Sequence, residues 1–346
     1  MLELDATNTL AYLHDHGVLD RSCVAQVSPL AWGVSNVVLR VCPKQGADFV
    51  IKQSRAQLRT AAPWFSRLDR IWREIGVMRA ISPLLPPGVV PRVLFEDRAN
   101  YLFGMEAAPA NHTVWKQLLL EGSADLAVAA RLGEYLATIH RQTAGDENLA
   151  REFGDLEVFD ELRVDPFYRR VAARLPDGAA LFDPLIAELF ATRACLVHAD
   201  FSPKNVLISA RGITLVDFET GHYGDPAFDL GFFLSHLLLK AVLHSARFET
   251  YAELTRVFWR TYRDGIGPVE CQPAFAPAEL FRRAARHLAG CAWARIDGTS
   301  PVDYLPDEQM RASVRRFCRG VLQNIPRDWS ELLQRLTTEI YALPRE

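Results

Sequence analysis

Asp200, Asn205 and Asp217, in the second half of the chain, have the residue types and the spacing to do chemistry on phosphate. Asp200 and Asn205 stand five positions apart in His198-Ala199-Asp200-Phe201-Ser202-Pro203-Lys204-Asn205, a polar loop behind the apolar pair Leu196-Val197. Two short strand-like runs follow, Val206 to Ile208 and Ile213 to Val216, and Asp217-Phe218-Glu219 opens the loop after the second. This alternation puts three oxygen-bearing side chains at neighbouring strand ends, where they can converge. Phosphoryl transfer needs such a group: a carboxylate to orient an attacking hydroxyl, and hard oxygen ligands to hold Mg2+ against the phosphates of ATP. Asp200 is the expected base, Asn205 and Asp217 the expected metal ligands, and Glu219 a further ligand. Lys204 either touches the transferring phosphoryl group or faces solvent, and His198 shapes the loop by hydrogen bonds.

The spacing His-x-Asp-x-x-x-x-Asn, then a strand and an Asp, resembles the catalytic and metal loops of kinases. The residues most resemble the aminoglycoside phosphotransferase and choline kinase superfamily, small-molecule kinases related to protein kinases. Asp217-Phe218-Glu219 is similar to the choline kinase and methylthioribose kinase side of that family. Neither Asp-Phe-Gly nor the activation-segment Ala-Pro-Glu of a protein kinase occurs. Gln53, Leu58-Arg59 and Trp64 resemble the methylthioribose kinase branch, although many of its members have no Asn where Asn205 stands. Gly224-Asp225-Pro226-Ala227-Phe228-Asp229-Leu230 resembles the family's segment after the metal loop, which implies that Asp229 braces the catalytic loop and that Asp225 is also a supporting residue.

The resemblance implies an α+β, bilobal, protein-kinase-like fold. A small N-lobe, residues 1–106, would hold a five-stranded antiparallel sheet and one long helix. A larger, mainly helical C-lobe, residues 107–346, would carry the catalytic and metal loops. It also implies ATP as co-substrate (GTP remaining open), Mg2+, and a small hydroxylated acceptor, with the chain a monomer or homodimer. The acceptor stays open among choline, methylthioribose and aminoglycoside types, and a nucleotide-binding scaffold without turnover is the rival from outside catalysis.

The positioning elements are legible in part. Residues 7–19 read as a short helix. Val24 to Leu30, Val37 to Cys42, Asp48 to Lys52, Pro91 to Phe95 and Tyr101 to Met105 read as strands. The Gly33–Asn36 hairpin, with Ser35 and Asn36 in it, becomes the loop over the phosphates in the resemblance, its Gly33 allowing close approach of backbone amides. Lys52, at a strand end, is the cation for the α/β-phosphates or a solvent-facing lysine. Glu74 borders a helical apolar stripe of Leu68, Ile71, Trp72, Ile75, Met78 and Ile81, so it pairs with Lys52 or, on the surface, with Arg70. Met105 lines the base pocket or packs as core, and the backbones of Glu106 and Ala107 belong to the interlobe hinge that meets a purine edge.

Beyond residue 110 the pattern is mostly helical, with His140 ending one apolar face in a structural place near the catalytic loop, tied to backbone. Asp155, Glu157, Asp160, Glu161 and Asp165 either face a cationic acceptor or, the favoured reading, form a solvated face. Trp259, Trp293 and Trp329 serve a quaternary-amine cage or core packing. Arg295 to Pro301 reads as a polar loop where the resemblance builds acceptor pockets.

The composition fits these expectations. In 346 residues, 49% are hydrophobic and 23% charged, the proportions of a chain that buries a substantial core. A net charge of −3 and a pI near 6.3 supply no basic field for nucleic acid or a membrane surface. The six cysteines form no Cys-x-x-Cys pair; Cys42, Cys195 and Cys291 read as small core residues. No signal-type N-terminus or bilayer-length apolar run is evident, so the expected setting is cytoplasmic.

Overall fold

Residues 2–30, 35–58 and 64–341 are described by a computed structural model of the chain. The chain forms two compact units: Met1–His112 with Leu207–Glu219, and Thr113–Val206 with Thr220–Glu346. The sequence reading places one boundary, at 106/107; the compact units add the return of residues 207–219 to the first of them. Strands Val206–Ser209 and Gly212–Leu215 form the hairpin that makes this return. Leu215 N–H donates to Val89 C=O at 2.7 Å, and Thr214 Oγ1 donates to Gly88 C=O at 3.0 Å.

The first unit is built on the expected sheet. Strands β1 (Ala25–Pro29), β2 (Asn36–Pro43), β3 (Phe49–Ser54), β4 (Val93–Asp97) and β5 (Leu102–Glu106) form five antiparallel strands in the order β1-β2-β3-β5-β4. Each lies within about two residues of its place in the sequence reading, because alternating apolar residues bounded by turn formers leave little freedom of register. Helix α1 (Thr9–Asp15), shorter than the expected 7–19, seals one face with Tyr12 and Leu13 packed among Val37, Leu39, Val41 and Ile51. The central strand β3 is buried along its whole length, so the ammonium of Lys52 enters a covered interior. Helix α2 (Arg70–Ile81) buries Ile71, Ile75, Met78 and Ile81 as the stripe predicts, and Glu74 lies inside that stripe rather than at its border, 1% exposed. Trp72 is half-buried and its ring meets Tyr101 at 6.0 Å.

The second unit is mostly helical. Its central helix, Pro226–Leu243, is buried almost throughout and packs against helices Phe248–Ile266 and Pro277–Asp297. This helix corrects one expectation: its 18 residues are long and apolar enough to cross a membrane by composition, yet 94% of the span is buried inside the protein. Burial of Phe228, Phe232 and Phe233 against neighbouring helices gives it a core role. Among the described residues four α-helices follow residue 245, ending with Glu308–Gln323 and Trp329–Tyr341. The expected Arg295 to Pro301 loop starts later, because helix Pro277–Asp297 runs through Arg295. Cys195 and Cys291 are buried, whereas Cys42 is half-buried and its thiol donates to Asp48 at 3.3 Å.

Asp225 caps the central helix by accepting from the Ala227 amide at 2.9 Å, and Arg283 donates to its other oxygen at 2.9 Å. Burial pulls this carboxyl upward, but the nearby His287, 3.8 Å away, and the charge of Arg283 outweigh it and hold it below the ordinary aspartate value. Removing one partner of a buried pair strands the other charge. Arg283→Met is expected to destabilise the protein by about 3–5 kcal/mol. Urea unfolding checks this, and a loss below about 1 kcal/mol would show that Asp225 needs no cation.

Candidate active site

The side chains singled out in the sequence gather in two groups, one in each unit. In the first unit Lys52 donates to Glu74 at 2.8 Å and to Asp217 at 2.7 Å. Their chain separations are 22 and 165 residues, so the fold itself assembles the group. Lys52 and Glu74 are almost completely buried, and Asp217 is partly open. The surface pairing of Glu74 with Arg70 is thereby replaced.

Arg70 has a different task. Its side chain is fully buried at the first residue of α2, where the helix dipole disfavours a cation. Glu219 compensates, accepting from Arg70 Nε at 3.1 Å. Glu219 also accepts from Ser35 Oγ at 2.6 Å and Asn36 Nδ2 at 2.8 Å. The remaining Arg70 donors meet the carbonyls of Ser35, Arg55 and Arg67 at 2.6, 3.0 and 2.7 Å. Arg70 and Glu219 therefore tie the start of β2 to the loop that carries Asp217. Gly33 lies outside the described residues, as does Arg59. No local sequence signal marks Arg70, because its partners lie as far as 149 residues away.

Glu74, Asp217 and Glu219 each present an oxygen within 4.8 Å of the others. Three carboxylates beside Lys52 and Arg70 leave an excess of negative charge and hard oxygen donors, a set that fits a divalent cation such as Mg2+. The same charges shift the protonation of the group. Burial pulls Lys52 down, but Asp217, Glu74 and Glu219 more than reverse it and raise the ammonium above its ordinary value. Glu74 is pushed up to about 7 by burial, with Asp217 and Glu219 adding to the rise and Lys52 opposing it. Glu219 goes the other way: burial raises it, and Arg70 leads the attractions that bring it below the ordinary value.

Asp217 has φ +71°, in the left-handed region that costs a non-glycine residue about 1–2 kcal/mol. Its ion pair with Lys52, and the Phe218 amide donating to Glu74 at 3.3 Å, stabilise that conformation. At the end of β5, Met105 is buried opposite Val50. The Glu106 amide donates to Arg92 C=O at 2.9 Å and is thus engaged within the sheet, while the Glu106 side chain pairs with Arg92. Ala107 follows, half-buried. Gln53 ties down the N-terminal segment, accepting from Leu4 N–H at 2.8 Å and donating to Leu2 C=O at 2.7 Å.

The second unit holds the loop of His198, Asp200 and Asn205. Strand Cys195–Val197 pairs with His222–Gly224 and delivers His198 and Ala199 to the N-terminal turn of the central helix. Asp229 there accepts both amides, from His198 at 2.8 Å and Ala199 at 2.7 Å. Ala199 has φ +58°, and this two-pronged grip holds it. His140 Nε2 meets Asp229 at 3.2 Å and its Nδ1 meets the Tyr262 hydroxyl at 2.8 Å, so His140 is structural through side chains rather than through backbone. Burial would raise Asp229; the His140 hydrogen bond, the charges of His140 and His198 and the His198 amide outweigh it and lower the carboxyl.

Asp200, 2% exposed, is engaged from three directions. Asn205 Nδ2 donates to it at 2.7 Å, Lys204 pairs with it at 2.9 Å and Arg163 at 2.7 Å. Lys204 thus faces the loop's own carboxylate. No signal in the sequence singles out Arg163; it lies in Asp160–Arg169, a widened helical stretch containing Pro166, and also donates to Ala199 C=O at 2.9 Å. Its flanking acids behave as the solvated face expected: Asp155, Glu157 and Asp165 are exposed, and Asp160 pairs with Arg169. Trp259 and Trp329 stack at 5.9 Å within the helical core and Trp293 is buried, so packing, not a cage, explains all three.

The family follows from this fold and these loops. Residues 26–270 match the model of the phosphotransferase enzyme family, and the chain belongs to it. Among curated relatives, a methylthioribose kinase of Pectobacterium carotovorum is 26% identical over 64% of this chain and 62% of its own length. One from Geobacillus sp. is 24% identical over 82% of both chains. The chain thus spans less than two thirds of the first of these relatives. Among solved structures, amicoumacin kinase hAmiN in complex with AMP-PNP, Ca2+ and Ami has a TM-score of 0.50 at 17% identity, covering 95% of this chain and 100% of that one. A choline kinase from Cryptosporidium parvum has a TM-score of 0.51 at 10% identity, covering 98% and 95%. The small-molecule kinase resemblance read from residues 198–229 is borne out, as is the mixed α/β fold with its five-stranded sheet.

The raised Glu74 carboxyl has a testable sign. The folded chain holds the Glu74 proton more tightly than the unfolded chain, so ionising it costs stability as pH rises from 4.5 to about 7. Glu74→Gln cannot ionise, so its melting temperature relative to the parent should be higher at pH 8 than at pH 5. Thermal unfolding at the two pH values measures the difference, and an equal offset at both would contradict the raised carboxyl.

Proposed function

We propose that the protein transfers the γ-phosphoryl group of ATP to a hydroxyl of a small molecule. The observation that carries this reading is the buried Lys52–Glu74 pair with Asp217 on the same ammonium, at 2.8 and 2.7 Å. Lys52 is then the cation for the α/β-phosphates, fixed by Glu74, and Ser35 and Asn36 belong to the loop that covers the phosphates. Asp217 and Asn205 hold Mg2+, with Glu219 available as a further ligand beside its anchoring role. When bound, the ion neutralises charge on the phosphate oxygens. Asn205 directly precedes the hairpin strand Val206–Ser209 that leads to Asp217, so the chain itself keeps the two ligands on a short tether.

Asp200 orients the acceptor hydroxyl and takes its proton. Arg163 and Lys204 fix both of its carboxylate oxygens, so the base is held in place before the acceptor arrives. Lys204, paired with the base, can follow charge onto the transferring group. Met105 and the backbones of Glu106 and Ala107 receive the purine, and the setting is a cytoplasm supplied with Mg-ATP. Intact Lys52, Asp200, Asn205 and Asp217 favour turnover over a scaffold role.

Two substitutions separate the roles. Asp200→Asn should lower turnover by roughly 10²–10⁴-fold while nucleotide affinity is kept; undiminished turnover removes the base assignment. Asp217→Ala should abolish the Mg2+-dependent part of AMP-PNP binding in calorimetry, and full binding in that variant removes the metal role.

A further inference from the structure

The second unit holds a group of cations with too few counter-charges. Lys240 is 1% exposed, and its ammonium meets the His236 carbonyl, at 3.1 Å, and the face of Tyr304, at 5.0 Å. Lys116, half-buried, lies 5.8 Å from the same ring. Arg295 donates to Ser300 C=O at 2.8 Å and lies over Phe167 at 5.4 Å. Among the described residues none of these three cations has a carboxylate within salt-bridge distance. A charge this deep is ordinarily paired, because taking an ammonium out of water costs several kcal/mol.

Hydrogen-bonding atoms in the same group are also unsatisfied. Tyr304 Oη, Arg295 Nε and His236 Nε2 are buried without a hydrogen-bond partner among the described residues. His236, 6% exposed, is driven far below its ordinary value by burial and by the fields of Arg295, Lys240, Lys204 and Lys116. Lys240 is brought down to about 7 by burial, Lys116 and Arg295. Acidic groups in reach are few: Asp303 acts on Lys116, and Asp200 acts on Arg295. Asp200 is itself held by Arg163 and Lys204. Arg163 lies over the same Phe167 ring as Arg295, at 5.9 and 5.4 Å, so the cluster borders the partner of Asp200.

We propose that Lys240, Lys116, Arg295 and the Tyr304 hydroxyl bind an anionic group of the acceptor, so that the molecule phosphorylated is a hydroxy acid or a phosphorylated sugar. This rests on the kinase reading above. A carboxylate or phosphate supplies the charge the three cations lack and accepts from Tyr304 Oη and Arg295 Nε. The same field repels aminoglycosides and quaternary amines, whose charge has the wrong sign. The acceptor's anionic end is anchored on these residues, and its hydroxyl is presented to Asp200.

The test separates the two levels. Calorimetry with AMP-PNP and Mg2+ examines the kinase reading alone; absence of nucleotide binding sinks that reading whatever the anion results. With AMP-PNP and Mg2+ saturating, four probes of similar size are then titrated: D-gluconate, D-glucose 6-phosphate, D-glucose and D-glucosamine. One or both anionic probes should bind, and the one preferred tells carboxylate from phosphate. Glucose and glucosamine should bind at least about 10-fold more weakly, the loss of one charge-assisted contact. Lys240→Met and Lys116→Met should each weaken anion binding about 10- to 100-fold. Lys240→Met should keep or raise the melting temperature, since an unpaired buried charge is replaced by an apolar chain of similar volume. Equal or tighter binding of glucose or glucosamine overturns the proposal, as does a lack of binding by both anionic probes. Unchanged anion affinity in both folded variants overturns it as well.

Discussion

A charge placed inside a protein must find its opposite there, and the candidate site is organised by this constraint. Lys52 enters the covered face of a central strand, so Glu74 must come from helix α2 and Asp217 from a hairpin far along the chain. Arg70 starts a helix at the end that repels it, so Glu219 must stand against it. Each pairing spends desolvation energy on position rather than on net stability. The result is that three chain segments, β3, α2 and the loop at 217–219, are held in register by charge.

The loop of Asp200 obeys the same logic with a single carboxylate. Asp229 lies in the first turn of a long apolar helix, where the dipole favours a negative charge, and it gives both oxygens to backbone amides. It thereby holds Ala199 in a left-handed conformation one residue before Asp200. Position passes from helix to amide to carboxylate, and His140 and Tyr262 steady the far side.

Much of this is legible in the chain. The five strands and helix α2 follow from apolar periodicity, and the order of Lys52, Glu74, Asp200, Asn205 and Asp217 carries the family resemblance. What stays hidden depends on long-range pairing. Arg70 and Arg163 look like surface arginines because nothing within a few residues shows that Glu219 or Asp200 will reach them. Ser235 and His236 disguise the membrane-length character of Pro226–Leu243, since in the sequence they interrupt its apolar run, whereas both are buried in the helical core. The acidic stretch around residue 160 hides the opposite property: most of its acids face outward, and its buried charge is the basic Arg163.

Neither compact unit is a single uninterrupted length of chain. During synthesis at the ribosome, the first 112 residues can emerge and fold their sheet, but the segment that completes the unit is made only after residues 113–206. Until then the ammonium at the heart of the sheet has Glu74 without Asp217, and the arginine at the head of α2 lacks its acid. Vectorial folding of this protein therefore has a late step: a nascent chain interrupted before residue 217 carries an unfinished sheet unit whose Arg70 has no Glu219 and whose Lys52 has one carboxylate in place of two.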